Sequence, residues 1–408
     1  MTTPVMDPGR AMMTLLSPAG KRDPYPLYEA LRSYGPLLPL GPGQLVVTGH
    51  AECARALREP ALLSTDGAVQ DSMMPGWRDH SSWVWLTKNM LFSNNPDHDR
   101  YRRFFSVGFT PRRIAALQPA VERLIGGLVD RLGTLGEGGA PVDFMAEFAF
   151  RVPMAIMGEL LGIPEEEQAG FRGHIGAITT ALEPIQDLAQ LLPGDAAMEE
   201  LAVYFRDLVA KRRAEPGDDL VSELVRQLDT TGGISEEELV ANFMLLLVAG
   251  TEAPMDLIGN GLRLAVEHPQ HAAALREDDS LAPGYVEEVL RFDPAAQALN
   301  RMAVKDFDFF GVPLTAGTKV TLLIAAGNRD PRQYADPGTF NPYRTGNHAL
   351  TLSGGAHYCL GAGLARMQAE VALPAVLRRF PGLALASEPT FRDQLVQRGF
   401  ATLPVKLG

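Results

Sequence analysis

Cys359 lies in LSGGAHYCLGAGLARMQAEVAL, surrounded by Gly354, Gly355, Gly361 and Gly363, with a helical pattern beginning directly after it. A thiol on a glycine-rich loop at a helix N-terminus meets the positive end of the dipole and free backbone N–H groups, both of which stabilise thiolate. The chemistry open to it is metal ligation or nucleophilic attack, and the plain alternative is an inert cysteine in a turn. A second unusual stretch is LLLVAGTEAPMDLIGNGL, an apolar helical run carrying Glu252 and Pro254 on either side of Ala253. Proline there removes one backbone donor and collides with the Gly250 carbonyl, at a cost of about 3 kcal/mol in a helix interior. An acid beside a breaker points to a functional site, with a harmless kink as the alternative.

The scaffold that must position these residues reads as mostly helical. With 408 residues, 46% of them hydrophobic, the chain can bury a large core. Segments such as AVERLIGGLVDRLGTL and MEELAVYFRDLVAKRR repeat their apolar residues at helical spacing across most of 96–292. Strand signals are local: QLVVTGH, a hairpin-forming region around Gly311 and Gly317, and short strands in the last thirty residues. PLLPLGPGQ, LLPGDAA and RAEPGDD read as loops rather than linkers, so one domain over 1–408 is expected, a large helical body with a small β region.

Several function classes drop out. Net charge is −12, which argues against a nucleic-acid surface. The N-terminus MTTPVMDPGRAMM has neither a signal-peptide pattern nor about 20 apolar residues, so a cytoplasmic protein without a membrane anchor is expected. Two cysteines are too few for a disulfide framework or a four-thiolate metal site, and Cys53 reads as a buried small hydrophobe. His268 and His271 read as a solvated turn, and no H-E-x-x-H, P-loop or G-x-G-x-x-G pattern is present, so electrons must come from outside.

The Cys359 stretch resembles the cysteine-ligand loop of the cytochrome P-450 superfamily, F-G-x-G-x-H-x-C-x-G. Gly355, His357, Cys359 and Gly361 match in register, while Leu352 stands in place of Phe and Ser353 in place of the first Gly. The resemblance extends over essentially the whole chain: EEVLR supplies Glu288 and Arg291 of the family's E-x-x-R, and DPGTFNPYR supplies the partner Arg344. It implies the family's fold, with haem b between a long distal helix and the cysteine loop, Cys359 ligating iron, and Glu288, Arg291 and Arg344 in a buried network behind it. His98 and Arg102 in NPDHDRYRR, Arg301 and His357 match the residues that neutralise the two haem carboxylates, which must be paired when buried. Leu352 and Ser353 are expected to alter packing and hydrogen bonding around the sulfur.

The distal helix of that family carries A-G-x-[D/E]-T-[T/S]; here the positions are Ala249, Gly250, Thr251, Glu252, Ala253 and Pro254. The acid remains and the threonine hydroxyl is lost. Thr251 does not share a helix face with Ala253, and Asp256 reads as a paired acid at the pocket edge. The resemblance implies a monooxygenase in which a substrate hydroxyl or ordered water replaces the threonine. Alternatives are oxidative coupling, cyclisation or rearrangement, including on a carrier-bound substrate, a peroxide-driven enzyme, and a non-enzymatic haem sensor. Pro254 is expected to free the Gly250 carbonyl for a water. Expected substrate contacts are Met74 and Trp83, from a segment holding all three tryptophans, with Thr180, Ala249, Ala296, Ala298 and Val396. By analogy with the family, the small residues above the haem suit a bulky polyketide, macrolide, terpenoid or aromatic product better than a fatty acid. Expected partners are a ferredoxin and its reductase, docked on Arg103, Arg112, Arg113 and Arg366, with a carrier protein as a further candidate.

Overall fold

The computed structural model describes residues 6–185 and 187–408. Its axis is the 32-residue helix Glu236–Glu267. Ser235 caps it, accepting from the Glu238 N–H while the Glu238 side chain returns to the Ser235 N–H, and three glutamates occupy the first turn. The helix runs unbroken through Pro254, so the expected interruption is not a break in the helix. Glycines let it approach its neighbours: a Cβ at Gly250 would lie 2.6 Å from the Met157 sulfur, one at Gly259 2.6 Å from that of Met145, and one at Gly261 2.7 Å from Leu373. Although apolar enough to span a membrane by composition, this helix is mostly buried inside the protein.

Around it pack the helices Arg151–Leu161, Phe171–Thr180, Leu192–Ala214, Ala282–Phe292 and Ala362–Arg379, and Pro111–Leu135 packs in turn on the first and last of these. The β region is a five-stranded sheet in the order Leu37–Gly41, Gln44–Val47, Lys319–Leu322, Leu299–Ala303, Leu62–Leu63, with one parallel pairing between Gln44–Val47 and Lys319–Leu322.

Three local readings need correction. PLLPLGPGQ is not simply a loop, because Leu37–Gly41 pairs with Gln44–Val47 across a turn in which Gly41 and Gly43 take positive φ. LLPGDAA opens the helix Leu192–Ala214, with proline in the first turn, where its missing N–H costs nothing. The strand after Gly317 joins the large sheet, so only Phe307–Phe309 and Val312–Leu314 form a hairpin, around Gly311. Cys53 is fully buried beneath the sheet, and burial raises its thiol pKa strongly, as suits an inert position. His268 stacks on Phe340 with ring centroids 5.2 Å apart, so it packs rather than projecting from a solvated turn.

Glu288 and Arg291, one turn apart on the helix Ala282–Phe292, are both fully buried. The guanidinium donates to both Glu288 oxygens at 2.6 and 2.8 Å and to the carbonyls of Asn328, Pro337 and Thr339 at 2.9–3.1 Å, which uses all five of its N–H groups. Glu288 also accepts from the Asn341 N–H at 2.9 Å and Asn347 Nδ2 at 3.1 Å, and pairs with Arg344 at 3.4 Å. Asn328 continues the chain to the Leu350 N–H at 2.8 Å and the Thr351 hydroxyl at 3.0 Å, just ahead of the cysteine loop. Arg291→Lys, with three donors on a point charge, should lower unfolding stability by about 3–5 kcal/mol. Denaturant unfolding checks this, against Arg276→Lys at the exposed partner of the Pro381 carbonyl, expected to stay within about 0.5 kcal/mol.

Candidate active site

The loop that carries Cys359 is shaped by its backbone. The Cys359 N–H donates to the Leu352 carbonyl at 2.9 Å, closing the loop. Gly355 has φ +65°, and a Cβ there would meet the Leu57 carbonyl oxygen at 2.8 Å, so glycine is required on two counts. Ser353, in place of the family's first glycine, sits at φ 63° and ψ −161°, a region used almost only by glycine, and its buried hydroxyl has no partner. Cys359 ends just before the helix Ala362–Arg379, as its sequence suggests. Burial nevertheless raises the thiol pKa, against the lowering effects of the Gly361 N–H and the charges of Arg102 and Arg366. The helix terminus alone does not win; a bound metal cation would, because coordination removes the thiol proton outright.

Beside this thiol, four basic side chains converge, with Asp99 next to His98 and no acid beside Arg301. His98 and Arg102 come from one face of the helix Asp97–Phe105, Arg301 from the strand Leu299–Ala303, and His357 from the cysteine loop. The His98 and His357 rings lie 4.2 Å apart. Burial, then the charges of Arg301, His98 and Arg102, push the His357 pKa down to about 3. Arg301 is buried, its pKa is lowered to about 10 by desolvation, and its one hydrogen bond goes to its neighbour's carbonyl, Asn300 O, at 2.9 Å. Burial likewise lowers Arg102 and His98, opposed at His98 by Asp99, which lies 3.5 Å from its Nδ1. A buried arginine without an acid partner, with Arg102 and two imidazoles beside it, fits a ligand that brings its own carboxylates. No group of three His, Cys, Asp or Glu among the described residues could hold a metal. One thiolate beside this cluster therefore suits a metal whose remaining ligands arrive with it, as in a tetrapyrrole bearing two propionates.

The helix Glu236–Glu267 presents two chemically different faces here. Ala249 and Ala253, four residues apart, are exposed within an otherwise buried stretch, with Gly250 partly so. Exposure of small residues at that spacing in the middle of a core helix means an internal hollow. Glu252 points elsewhere, buried against Arg392 at 3.3 Å, with Thr179 beside it, whose hydroxyl donates to the Ile175 carbonyl at 2.7 Å. Arg392 binds Asp256 more closely, at 2.6 Å, and Gln397 donates to the same carboxylate at 3.2 Å. Burial raises the pKa of both acids, that of Asp256 to about 7, with Arg392 opposing in each case. A cavity of about 140 Å³ lies against Thr251, Glu252, Arg392 and the exposed Arg172. Thr251 is fully buried, its hydroxyl unpaired, away from the Ala249–Ala253 face.

The other expected contact residues are distributed unevenly. Trp77 donates to Asp71 at 2.9 Å and Trp85 to Glu199 at 3.3 Å, which gives both a packing role. Trp83 packs edge-on against Phe92 at 5.3 Å with its N–H buried and unpaired, and Met74 is partly buried nearby on the chain. Thr180 is exposed, and it is Thr179 that lies beside Glu252. Ala296 is partly exposed and bridges Gln397, next to Val396, whereas Ala298 is buried in the cluster containing Leu323 and Leu395. Sequence reasoning missed Arg392, Thr179 and Glu183. Arg392 and Glu183 lie far along the chain from the groups they bind and carry no local signal, while Thr179 is one position from the residue singled out.

The comparisons with known proteins agree with this geometry. The cytochrome P-450 family model matches residues 11–406. Monooxygenase PikC of Streptomyces venezuelae is 35% identical, over 94% of this chain and 91% of its own. The 6-deoxyerythronolide B hydroxylase of Saccharopolyspora erythraea is also 35% identical, over 94% and 96%. Among solved structures, P450BioI in complex with an acyl carrier protein bearing hexadec-9Z-enoic acid superposes with a TM-score of 0.88 at 29% identity, over 96% of this chain and 99% of that one. The cofactor is accordingly haem, which the cluster of two arginines and two histidines beside Cys359 fits. The chain belongs to the cytochrome P-450 family and is a monooxygenase.

Proposed function

We propose that this monooxygenase hydroxylates or epoxidises a bulky natural product of polyketide, macrolide, terpenoid or aromatic type in the cytoplasm, with a substrate hydroxyl or ordered water assisting proton delivery. The observation that carries this reading is the exposed Ala249–Ala253 face: small side chains leave room there, and none supplies a hydroxyl. A relative named for hydroxylating 6-deoxyerythronolide B supports the substrate class.

Haem, when bound, supplies the activation of dioxygen and the insertion of one oxygen atom into the substrate. Cys359 is the thiolate ligand, seated by Gly361 and its loop. His98, Arg102, Arg301 and His357 hold the propionates and thereby set the orientation of the ring. Glu252 takes a proton from water in the cavity beside Arg172 and passes it toward the hollow, with burial raising its pKa and so favouring its protonated form. Pro254 has no N–H for the Gly250 carbonyl, which is left free to hold a water at the face where Ala253 offers nothing. Thr251 takes no hydroxyl role in the hollow, and its place is structural. Asp256 keeps Arg392 in place beside Glu252. Substrate contacts are assigned to Met74, Trp83, Ala249, Ala296 and Val396, with Thr180 at the margin.

The electron donors in this reading are a ferredoxin and its reductase. Of the four arginines expected on the docking face, Arg113 is paired with Glu223 and Arg366 with Glu287. Arg103 and Arg112 are exposed and unpaired among the described residues, which leaves them as the principal contacts for an acidic partner.

Titrating the ferric holoenzyme with free bulky natural products of these classes should shift the Soret band from low spin to high spin as a ligand displaces iron-bound water. No shift across such a panel would favour a carrier-bound substrate, the reading that the acyl-carrier complex of P450BioI supports. With an identified substrate, Ala253→Thr should change the fraction of reductant converted to product; an unchanged fraction would contradict assistance by substrate or water. Raising ionic strength from about 0.05 to 0.5 M should slow reduction by the ferredoxin several-fold, and a rate indifferent to salt would remove the arginine docking face.

A further inference from the structure

The segment following the helix Phe171–Thr180 is fastened to a turn near the C-terminus by one side chain. Glu183 accepts from three consecutive backbone N–H groups: Leu395 at 2.6 Å, Val396 at 2.9 and 3.0 Å, and Gln397 at 3.1 Å. Consecutive amides converging on one carboxylate form an anion nest, and each bond to an ionised acceptor is stronger than its neutral counterpart. The turn is held elsewhere too, by Gln297 N–H to the Val396 carbonyl at 2.9 Å and by Arg398 N–H to the Ala295 carbonyl at 2.8 Å. Those bonds set one edge of the turn against Ala296, while Glu183 sets the other. A side-chain bond, Gln394 Nε2 to Thr180 Oγ1 at 3.4 Å, runs in parallel.

We propose that Glu183 is a positioning residue for selectivity: by filling the 395–397 nest it fixes Val396 as a preformed wall of the substrate pocket. This inference rests on the reading that Val396 lines a pocket for bulky ligands. A wall held by three donors on one acceptor is ordered before the ligand arrives, so a large ligand that presses on it loses little freedom on binding. A small ligand that reaches only the iron does not meet this wall. Glutamine is a poor substitute because its amide turns an N–H₂ group toward donors, leaving at least one of the three amides unpaired. Aspartate keeps the charge and shortens the reach by one methylene.

The test uses ferric holoenzyme and two nitrogen ligands, imidazole and the much larger econazole, each followed by the Soret shift that accompanies coordination of iron. For Glu183→Gln the econazole dissociation constant should rise about fivefold or more while that for imidazole stays within about twofold, with Glu183→Asp between Gln and wild type. Equal weakening of both ligands, or unchanged econazole binding in the variants, overturns the role of Glu183 while leaving the bulky pocket standing. Imidazole binding with no econazole binding in wild type and variants alike removes the bulky pocket and the inference with it. Should Glu183→Gln not retain haem, as judged by its ferrous carbon monoxide band, Glu183→Asp carries the comparison.

Discussion

The buried Arg291–Glu288 pair is the interaction on which the cysteine loop depends. Removing two charges from water is expensive, and the attraction between them repays that only when every remaining donor and acceptor is also satisfied. Here it is: the guanidinium spends two bonds on Glu288 and three on the carbonyls of 328, 337 and 339, while Glu288 draws in the 341 N–H and the side chain of Asn347. A segment with little regular structure is thus held to the helix Ala282–Phe292 by side chains instead of a sheet, and Asn328 passes that fixity to Leu350 and Thr351. Arg301 is the opposite case. It too is buried, but its charge has no acid to meet, and desolvation lowers its pKa. The same residue type closes the scaffold when saturated and marks the cofactor site when left open.

The long helix serves two environments because its period separates residues that adjoin in sequence. Ala249 and Ala253 fall on the hollow, and Glu252, one step back, falls on the side of Arg392 and Thr179. The acid is therefore shielded from the hollow by the turn of its own helix, so a proton held at Glu252 must travel by water or substrate to reach it. The helix continues through Pro254. The proline's effect is local, the loss of one N–H opposite Gly250, at the point where close packing on Met157 already forbids a Cβ. The expense of proline is limited by helix continuing on both sides with a buried, tightly packed surface.

Most of the fold and the cofactor site could be read from the sequence, because each rests on residues close together in the chain or on a register that the family keeps. Glu288 and Arg291 are a helical pair, His98 and Arg102 another, and the glycines around Cys359 announce a loop whose backbone needs positive φ. What failed was of two kinds. Leu37–Gly41 and Leu192–Ala214 were obscured by proline and glycine, which a strand edge and the first turn of a helix both tolerate. The opposing effect of burial on the Cys359 thiol was hidden because a helix terminus is legible in sequence and burial is not. Arg392 and Glu183 were illegible for a different reason: their partners are set by tertiary contact, and no spacing rule connects 252 with 392 or 183 with 396.

The turn 392–399 gathers what the sequence scattered. It carries Arg392, which holds the two buried acids, and Val396, the proposed wall of the pocket, so the proposed proton supply and the proposed substrate fit share one short segment. Its approach to the long helix is set by Gly399, where a Cβ would lie 1.9 Å from Asp256 Oδ1. Asp256 takes the shorter of the two bonds to Arg392 and the added donation from Gln397, leaving Glu252 with the longer one. Of the two acids, Glu252 is the less firmly held, and it is the one beside the cavity that leads to Arg172. A carboxylate that must accept and release a proton is best placed where its counter-ion is shared with another acid, close enough to offset burial and too far to fix the charge.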